Sequence, residues 1–318
     1  MRLLITGGCG FIGSNFIRHI LNKYPDYKII NLDKLTYAGN LENLKEVEKN
    51  KNYAFIKGDI CDTRLMEKII RGCDCLINFA ASTHVDRSIQ DASDFIRANI
   101  QGTYSLLEAA RYQKLKLFLQ ISTDEVYGSL SKGKSREEDP LLPNSPYSAS
   151  KASADHLVRS YYVTHKLPAI ITRSSNNFGP YQYPEKAIPL FATNLLEGKK
   201  IPLYGDGLNC RDWIFVLDNC RAIDTVLHQG RVGEIYNIGT GSEISNIILV
   251  KKILSLTRKP DSFIKYVPDR PGHDRRYALN CAKLRSLGWQ KEFKLDPALK
   301  ITIDWYKNNQ SWWKKLKK

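Results

Sequence analysis

A glycine-rich segment near the start of the chain restricts the fold more than any other feature. It reads Gly7-Gly8-Cys9-Gly10-Phe11-Ile12-Gly13 and stands between a predicted strand, residues 3–6, and a predicted helix, residues 11–23. Glycines at this spacing let the backbone turn tightly and approach a pyrophosphate, while the helix N-terminus offers N–H donors and a positive dipole end. The segment therefore predicts a strand–turn–helix unit that binds a dinucleotide.

The rest of the first half repeats this alternation of strands and helices. Further strands are predicted at residues 28–32, 53–57, 75–79, 115–122 and 168–172, and further helices at residues 41–48, 63–70, 92–112 and 146–165. Such alternation is typical of a parallel sheet covered by helices on both faces. We predict an α/β fold with a doubly wound, parallel Rossmann sheet.

An aspartate at the end of the second strand indicates which dinucleotide is bound. Asp33 stands 33 − 13 = 20 residues after Gly13. A carboxylate there suits the ribose hydroxyls of NAD and repels the 2′-phosphate of NADP. We expect NAD to contact Gly7, Gly10, Phe11, Ile12, Gly13, Asp33, Lys34, Thr36, Asp59, Ile60, Ala80 and Ala81, together with Tyr147 and Lys151.

The pattern loosens after Arg173, where short segments alternate with Pro and Gly. We predict an NAD-binding Rossmann domain over residues 1–173, with a returning segment near residues 211–239. Residues 174–318 are predicted to form a smaller α/β domain that binds the substrate at the carboxyl edge of the sheet.

Charge and composition exclude several other classes of protein. The net charge is +15, but the lysines are spread along the chain, so we expect neither a nucleic-acid nor a membrane partner. No apolar stretch approaches a membrane span or a secretory signal, which predicts a soluble, cytoplasmic protein. The seven scattered cysteines lack the spacing of a metal site, so we expect them to be reduced and predict no metal.

Tyr147 and Lys151 form the first candidate catalytic pair. They are four residues apart on a predicted helix and so share one of its faces. An ammonium beside a phenol favours the phenolate, which can accept the proton of a hydroxyl whose carbon loses hydride. We therefore expect Lys151 to lower the pKa of Tyr147.

The glycine motif, Asp33 and this pair resemble the extended short-chain dehydrogenase/reductase family. That family contains epimerases, decarboxylases, reductases and dehydratases, and its fold does not distinguish among them. One segment distinguishes among these activities. It reads Ser122-Thr123-Asp124-Glu125-Val126-Tyr127-Gly128 and resembles the corresponding segment of the nucleotide-sugar 4,6-dehydratases. The resemblance implies that Thr123 orients the sugar 4-hydroxyl, Asp124 is a general acid and Glu125 a general base. The alternative is that the two carboxylates only begin a helical turn.

Longer stretches extend the resemblance over nearly the whole chain. They are residues 33–40, 84–88, 173–182, 184–186, 203–207, 211–213 and 270–277. The implied reaction converts a nucleoside-diphosphate hexose, with dTDP-glucose expected first, to its 4-keto-6-deoxy form. A sibling dehydratase acting on GDP- or UDP-linked GlcNAc or glucose is the main alternative. A 4-epimerase would have no use for Asp124 and Glu125, and a non-catalytic NAD-binding protein no use for Tyr147 and Lys151.

The resemblance and the chemistry of a diphosphate also predict substrate contacts and an assembly. The predicted substrate-binding residues are Ser82, His84, Asn177, Lys186, Leu203, Tyr204, Arg211, Asn246, Arg270 and His273. The family further implies a homodimer formed through helices 92–112 and 146–165, with residues 161–163 on that face.

Two stretches depart from the family pattern. Ala80-Ala81-Ser82-Thr83-His84 has Ser82 and Thr83 where the family has A-A-E-S-H, and Val216-Leu217-Asp218-Asn219 stands where V-E-D-H is common. Loss of a carboxylate near the sugar makes Ser82 and Thr83 candidate selectors of the sugar's 2-substituent.

Overall fold

The structure is a computed structural model that describes residues 1–317. Its strands are β1 Arg2–Thr6, β2 Lys28–Asp33, β3 Tyr53–Lys57, β4 Cys75–Asn78, β5 Leu117–Thr123, β6 Ala169–Ser174, β7 Asn176–Phe178, β8 Ile201–Tyr204, β9 Cys210–Phe215, β10 Ile235–Ile238, β11 Glu243–Ser245 and β12 Ile264–Val267. Its α-helices are α1 Phe11–Lys23, α2 Thr63–Ile69, α3 Val85–Gln90, α4 Ser93–Phe95, α5 Gly102–Tyr112, α6 Pro146–His165, α7 Ala187–Leu196, α8 Val216–Gln229, α9 Asn246–Thr257, α10 Ala282–Arg285, α11 Leu295–Asn308 and α12 Gln310–Lys314.

A seven-stranded sheet in the order β10-β6-β5-β4-β1-β2-β3 forms the centre of the larger lobe. All neighbouring strands in it are parallel, so their carboxyl ends share one edge. Strand β5 is buried along its whole length, as expected for a central strand covered on both faces. The prediction of a doubly wound Rossmann fold is confirmed.

Helices cover both faces of this sheet with apolar side chains. One face packs against Phe16 and Ile20 of α1 and Val226 of α8. The other packs against Leu106 of α5 and Val158 of α6. Each such fully buried side chain contributes about 1.5–3 kcal/mol relative to its exposed state, so the sheet is held rigidly beneath its carboxyl edge.

The smaller lobe contains a three-stranded sheet, β11-β9-β7, and a parallel pair, β12-β8. Its core brings together Phe191 of α7, Ile253 of α9, Tyr306 of α11 and Trp313 of α12. Strand β10 follows β9 and α8 in the chain but belongs to the large sheet, where it pairs with β6. The predicted domain limits, residues 1–173 with a returning segment near 211–239 and residues 174–318, remain a prediction.

Two predicted helices are present but irregular. Residues 41–48 were predicted to be helical, and Leu41–Val47 is a 3₁₀ segment kinked at Leu44. The predicted helix 92–112 is interrupted by a π-helical stretch, Ile96–Gln101, between α4 and α5. π-Bulges of this kind often accompany functional sites. Among residues 1–317, no helix is long and apolar enough to span a membrane.

Candidate active site

A cavity of about 410 Å³ lies at the carboxyl edge of the large sheet, facing the smaller lobe. All twelve residues predicted to contact the cofactor from the glycine segment to Ala81 line it, as do the five predicted catalytic residues. Three predicted substrate residues, Ser82, Asn177 and Lys186, also line it. One cavity thus brings together positions spread over residues 7 to 186.

The glycine segment forms a turn that comes very close to its neighbours. Gly7 has a φ of +70°, and a Cβ there would lie 2.6 Å from the Ala80 backbone nitrogen. A Cβ on Gly13 would lie 2.5 Å from the Gly7 carbonyl oxygen. Helix α1 begins directly after Gly10, so its first N–H groups, which lack partners within the helix, are offered at the cavity. The turn therefore fits the pyrophosphate of NAD.

Asp33, at the end of β2, holds the two loops that border this turn. One carboxylate oxygen accepts from the Cys9 N–H at 2.9 Å and the other from the Leu35 N–H at 2.8 Å. Burial raises the pKa of Asp33, and the two N–H groups oppose this shift. The carboxylate lines the cavity and retains acceptor capacity for a ribose hydroxyl.

Asp59 occupies a second charged position at the same end of the cavity. Lys34 Nζ and Arg97 Nη2 each lie 2.9 Å from Asp59 Oδ2. The neighbouring Ile60 is buried and presents an apolar wall. A charged rim beside an apolar wall suits the adenosine half of NAD, with its polar ribose and flat base.

Thr123, Asp124 and Glu125 lie where β5 passes into a 3₁₀ turn, Asp124–Tyr127. Thr123 caps this turn, because its Oγ1 accepts from the Glu125 N–H at 3.2 Å. The same hydroxyl donates to Asp124 Oδ1 at 3.3 Å. Asp124 Oδ2 is buried and has no hydrogen-bond partner among the described residues. The cap is made by Thr123, which leaves both carboxylates available to a ligand.

Burial acts strongly on these two carboxylates. It raises the pKa of Asp124 well above its usual range, and the adjacent Glu125 charge adds to the shift. Burial also raises the pKa of Glu125, but Arg270, Lys186 and Arg211 oppose the shift. The environment therefore favours the protonated form more strongly for Asp124 than for Glu125, as expected if Asp124 is the acid and Glu125 the base.

Helix α6 supplies Tyr147 and Lys151. Its N-terminus is fixed by Pro146 and by a capping box between Ser145 and Ser148. The Lys151 ammonium donates to the Ile121 carbonyl at 2.7 Å.

The prediction that Lys151 lowers the pKa of Tyr147 was wrong for this structure. Burial, followed by the Glu125 charge, raises the pKa of Tyr147, although a hydrogen bond with Thr123 opposes the rise. Burial also lowers the pKa of Lys151 to about 8. The lysine charge is directed at the Ile121 carbonyl, while the phenol faces the carboxylates.

Seven predicted substrate residues lie outside the cavity wall: His84, Leu203, Tyr204, Arg211, Asn246, Arg270 and His273. Three of them form a group around Asp86. Arg270 Nη1 lies 3.0 Å from Asp86 Oδ1, the Tyr204 hydroxyl donates to Asp86 Oδ2 at 3.2 Å, and the His273 ring stands edge-on to the Tyr204 ring at 6.0 Å. The charge of Arg270 opposes the rise in the pKa of Glu125.

Arg211 is held by main-chain carbonyls. Its guanidinium donates to the Cys210 and Asp274 carbonyls, each at 2.8 Å, and lies 4.3 Å from the centre of the Tyr277 ring. Its positive charge also opposes the rise in the pKa of both Asp124 and Glu125.

The remaining three make structural contacts. The Leu203 side chain is buried in the core of the smaller lobe. Asn246 begins α9, and its N–H donates to the Asn209 carbonyl at 3.0 Å. His84 caps α3 by accepting from the Arg87 N–H at 3.4 Å.

Asn99 and Glu185 were not among the predicted site residues. Asn99 lies in the π-helical stretch and forms two hydrogen bonds with the cavity residue Ser82. It accepts from the Ser82 N–H at 2.9 Å and donates to the Ser82 carbonyl at 3.0 Å. Glu185 lines the cavity with a buried, unpartnered Oε1. An asparagine inside an apolar helix pattern is a poor helix former and would have been the one signal for Asn99.

Unpartnered buried polar atoms are concentrated at this cavity. Among the described residues they include Ser122 Oγ, Asp124 Oδ2, Ser175 Oγ, Asn176 Oδ1, Asn177 Oδ1, Gln182 Oε1 and Glu185 Oε1. Buried polar groups without partners are costly. Their concentration here indicates a ligand rich in hydroxyl groups, such as a sugar.

Comparison with known proteins supports this description. The family model described as GDP-mannose 4,6 dehydratase matches residues 4–302. The dTDP-glucose 4,6-dehydratase of Streptomyces niveus is 48% identical, over 100% of this chain and 96% of that protein. The low-salt glycan biosynthesis protein Agl12 of Haloferax volcanii is 50% identical, over 96% of this chain and 98% of that protein.

Solved structures of related enzymes have the same fold as this chain. The dTDP-glucose 4,6-dehydratase DesIV of Streptomyces venezuelae, crystallised with NAD and dTDP, has a TM-score of 0.98 and 48% identity, with each chain covered at 100%. UDP-glucuronic acid 4-epimerase of Bacillus cereus shares the fold at a TM-score of 0.92 but only 28% identity, covering 97% of this chain and 99% of its own. The dehydratases are thus much more similar to this chain than the epimerase is.

Proposed function

The chain belongs to the nucleotide-sugar 4,6-dehydratase family of NAD-dependent lyases, and we propose that it converts dTDP-glucose to the 4-keto-6-deoxy sugar by the residues described above. The observation that carries the proposal is the placement of Asp124 and Glu125 in one cavity with Tyr147 and Lys151. A 4-epimerase needs only the second pair, whereas elimination of water needs an additional acid and base.

The chemistry gives each group a role. Bound NAD supplies the hydride acceptor for C4 and later the hydride donor for C6. Tyr147 accepts the proton of the 4-hydroxyl, which Thr123 orients. The carbonyl formed at C4 acidifies the neighbouring C5–H, and Glu125 removes that proton. Asp124 then protonates the departing 6-hydroxyl, which leaves as water, and Glu125 returns its proton to C5 when C6 receives hydride.

The electrostatics of the site support this division. Asp124 can act as an acid near neutral pH because burial and the Glu125 charge raise its pKa. Glu125 is the better candidate for the base because Arg270, Lys186 and Arg211 oppose the rise in its pKa that burial causes. Burial raises the pKa of Tyr147, so accepting the proton of the 4-hydroxyl requires its phenolate form, which the Lys151 ammonium and the positive nicotinamide ring of bound NAD would favour.

The nucleotide half of the substrate is assigned to the smaller lobe. We assign the diphosphate to the cations Arg211 and Arg270, with Asn177 as a hydrogen-bonding partner. Tyr204, 36% exposed, is the aromatic side chain available to border the base. His273, Asn246 and the main chain at Leu203 remain proposed contacts on the same side, and Lys186 and His84 on the sugar side.

We further propose a homodimer that works in the cytoplasm. Two neighbouring helical segments, residues 96–112 and 146–165, leave Ile96, Tyr104, Tyr112 and Val163 exposed, with Tyr112 at 65% and Val163 at 47%. Exposed large apolar groups on packed neighbouring helices are typical of an interface. Tyr161, placed on that face by the sequence, is instead buried in the monomer core. The seven cysteines are all free thiols, as is usual in a reducing compartment.

The experiment that tests the function is incubation of the purified protein with dTDP-glucose, UDP-GlcNAc and GDP-GlcNAc separately, with mass spectrometry of the product. Loss of one water from dTDP-glucose is the expected result. Loss only from a GlcNAc nucleotide would keep the chemistry and make Ser82 and Thr83 the selectors of the sugar. No loss from any of the three would contradict the proposal.

Two matched variants test the assigned acid and base. Asp124→Asn and Glu125→Gln keep the shape of each side chain but remove its proton chemistry, so each should lower kcat by about a hundredfold or more. NAD content after gel filtration serves as the control, because neither change alters the glycine turn. Full activity in either variant would exclude that residue from the role given to it.

A further inference from the structure

The last helix of the chain makes a contact outside its own lobe. Trp312 of α12 is 7% exposed, and its indole N–H donates to Asn43 Oδ1 at 2.9 Å. Asn43 belongs to the 3₁₀ segment that follows β2, on the NAD side of the molecule. The C-terminal helix is therefore hydrogen-bonded to the larger lobe through the buried Asn43 amide, and the residue after the helix, Lys315, forms an exposed ion pair with Glu42 of the same segment at 3.0 Å.

Asn43 is also hydrogen-bonded to the glycine turn. Its Nδ2 donates to the Cys9 carbonyl at 2.8 Å, and the Asn40 N–H donates to the same carbonyl at 3.1 Å. Cys9 stands between Gly8 and Gly10, and its own N–H donates to Asp33. The main chain of Cys9 is thus held on one side by Asp33 and on the other by Asn43.

The chemistry of tryptophan determines which way the Asn43 amide faces. An indole N–H is a donor only. Asn43 must therefore turn Oδ1 toward Trp312, which leaves its NH₂ group for the Cys9 carbonyl. A reversed amide would set two oxygens against each other at Cys9 and two donors against each other at Trp312. Trp312 consequently keeps the Asn43 donor in place at the turn.

The same tail touches a second wall of the cavity. The Leu316 carbonyl accepts from the Tyr183 hydroxyl at 3.0 Å, and Tyr183 lines the cavity. The ring of Tyr183 stands edge-on to that of Tyr37, from the loop after β2, at 5.3 Å. Trp312 and Leu316 thus connect the tail to two sides of the cavity, the glycine turn and the loop that carries Tyr183.

We propose that Trp312 is a positioning residue for NAD. Through Asn43 it fixes the Cys9 peptide, and with it the turn that presents the first N–H groups of α1 to the pyrophosphate. The consequence is slow release of NAD, which suits an enzyme whose cofactor is returned to its starting state in each turnover. The inference rests on NAD binding and not on the identity of the sugar.

A purely structural role of Trp312 is the competing explanation, since its ring also packs against Trp305 at 5.0 Å. The neighbouring Trp313 provides a matched control. It is fully buried, and its indole N–H donates to the Tyr306 carbonyl at 2.7 Å, inside the smaller lobe. Trp312→Phe and Trp313→Phe remove the same ring atoms and the same kind of hydrogen bond, but only the first bond leads to the glycine turn.

The test measures NAD release from the purified holoenzymes, by acid extraction of retained NAD at intervals after gel filtration, with no substrate present. Trp312→Phe should release NAD about tenfold faster than the parent, the effect of one buried hydrogen bond. Trp313→Phe should unfold at a lower temperature but release NAD at the parental rate. Unchanged release from Trp312→Phe, or equal acceleration in both variants, would overturn the proposal.

A second variant covers the case in which Trp312→Phe does not fold. Asn43→Asp keeps the acceptor for the indole but places an oxygen against the Cys9 carbonyl, so it should also accelerate NAD release while the tail stays packed. If a folded Asn43→Asp protein released NAD at the rate of the parent, the proposed link from Trp312 through Asn43 to Cys9 would be refuted. Because no sugar is used, these results are independent of whether dTDP-glucose proves to be the substrate.

Discussion

Burial is the main cause of the lowered pKa of Lys151, which we propose to be a catalytic residue. Its pKa is lowered to about 8 because its ammonium is withdrawn from water, with Asp155 only partly opposing the shift. The group is therefore charged below about pH 8 and neutral above it. We predict that kcat/KM falls as the pH rises above about 8, by about tenfold for each further pH unit. A pH–rate profile at saturating NAD measures this.

The control separates Lys151 from Asp124, whose raised pKa also contributes an alkaline decline. In Lys151→Arg the cation is kept at every accessible pH, so any residual activity should lose the decline near pH 8 and keep only the one set by Asp124. Stability changes in the opposite sense. The cost of burying the charged lysine is fully present below pH 8 and is relieved toward pH 10.5, so the loss of activity is not unfolding. An unchanged profile in Lys151→Arg would refute the assignment.

Sequence reasoning located these residues but not their environment. Asp33, Asp124 and Tyr147 stand at fixed offsets from strand ends and helix starts, so local patterns suffice to find them. The pKa of Tyr147 depends on how deeply it is buried and on Glu125, which comes from another strand end. Such burial is a property of long-range packing, and no spacing in the sequence contains it.

A buried ion pair and its hydrogen bonds join four elements behind the turn that carries Asp124 and Glu125. Arg173 Nε of β6 lies 2.9 Å from Asp155 Oδ2 of α6, with side chains 4% and 1% exposed. Arg173 also donates to the Tyr127 hydroxyl at 2.8 Å, which in turn donates to Asn237 of β10 at 2.8 Å. Since Tyr127 ends the turn that carries Asp124 and Glu125, the pair anchors that turn to the sheet.

Breaking only one side of this pair should be costly. Arg173→Met leaves the Asp155 carboxylate buried without its cation, and we predict a loss of about 3–5 kcal/mol in the free energy of unfolding. Removing both charges, in Arg173→Met with Asp155→Leu, should recover much of this loss. Urea unfolding at saturating NAD measures both variants. A double variant no more stable than the single one would show that the charges are not coupled.

Hydrophobic periodicity predicts that residues 92–112 are helical, but it does not predict which type of helix they form. The apolar spacing predicted a helix correctly, but the π-helical stretch Ile96–Gln101 was not foreseen. Asn99, in this stretch, accepts from the Ser82 N–H and donates to Ser150 Oγ at 2.8 Å. Hydrogen bonds to distant residues such as these are not part of the local hydrophobic pattern, which predicts the helix but not its irregular stretch.

At the scale of the whole molecule, the alternation of strands and helices predicted the sheet because each unit is local. The smaller lobe was predicted only in outline, since its parts are short and contact one another across long separations. Strand β10 joins the large sheet beside β6, and α12 binds Asn43 from 269 residues away. Contacts of that range depend on the completed fold, so the tail's relation to the glycine turn was not predictable.

The assembly is the remaining property of the whole molecule, and it can be tested with one pair of variants. Tyr104 of α5 is 47% exposed on the proposed dimer face, whereas Tyr266 of β12 is 58% exposed on the smaller lobe. A glutamate placed in an interface is desolvated and unpaired, while on a free surface it remains hydrated. Tyr104→Glu should therefore give the mass of a single chain by light scattering, and Tyr266→Glu the mass of two, as in the parent. A parent with the mass of one chain would refute the dimer, and a dimeric Tyr104→Glu would place the interface away from α5.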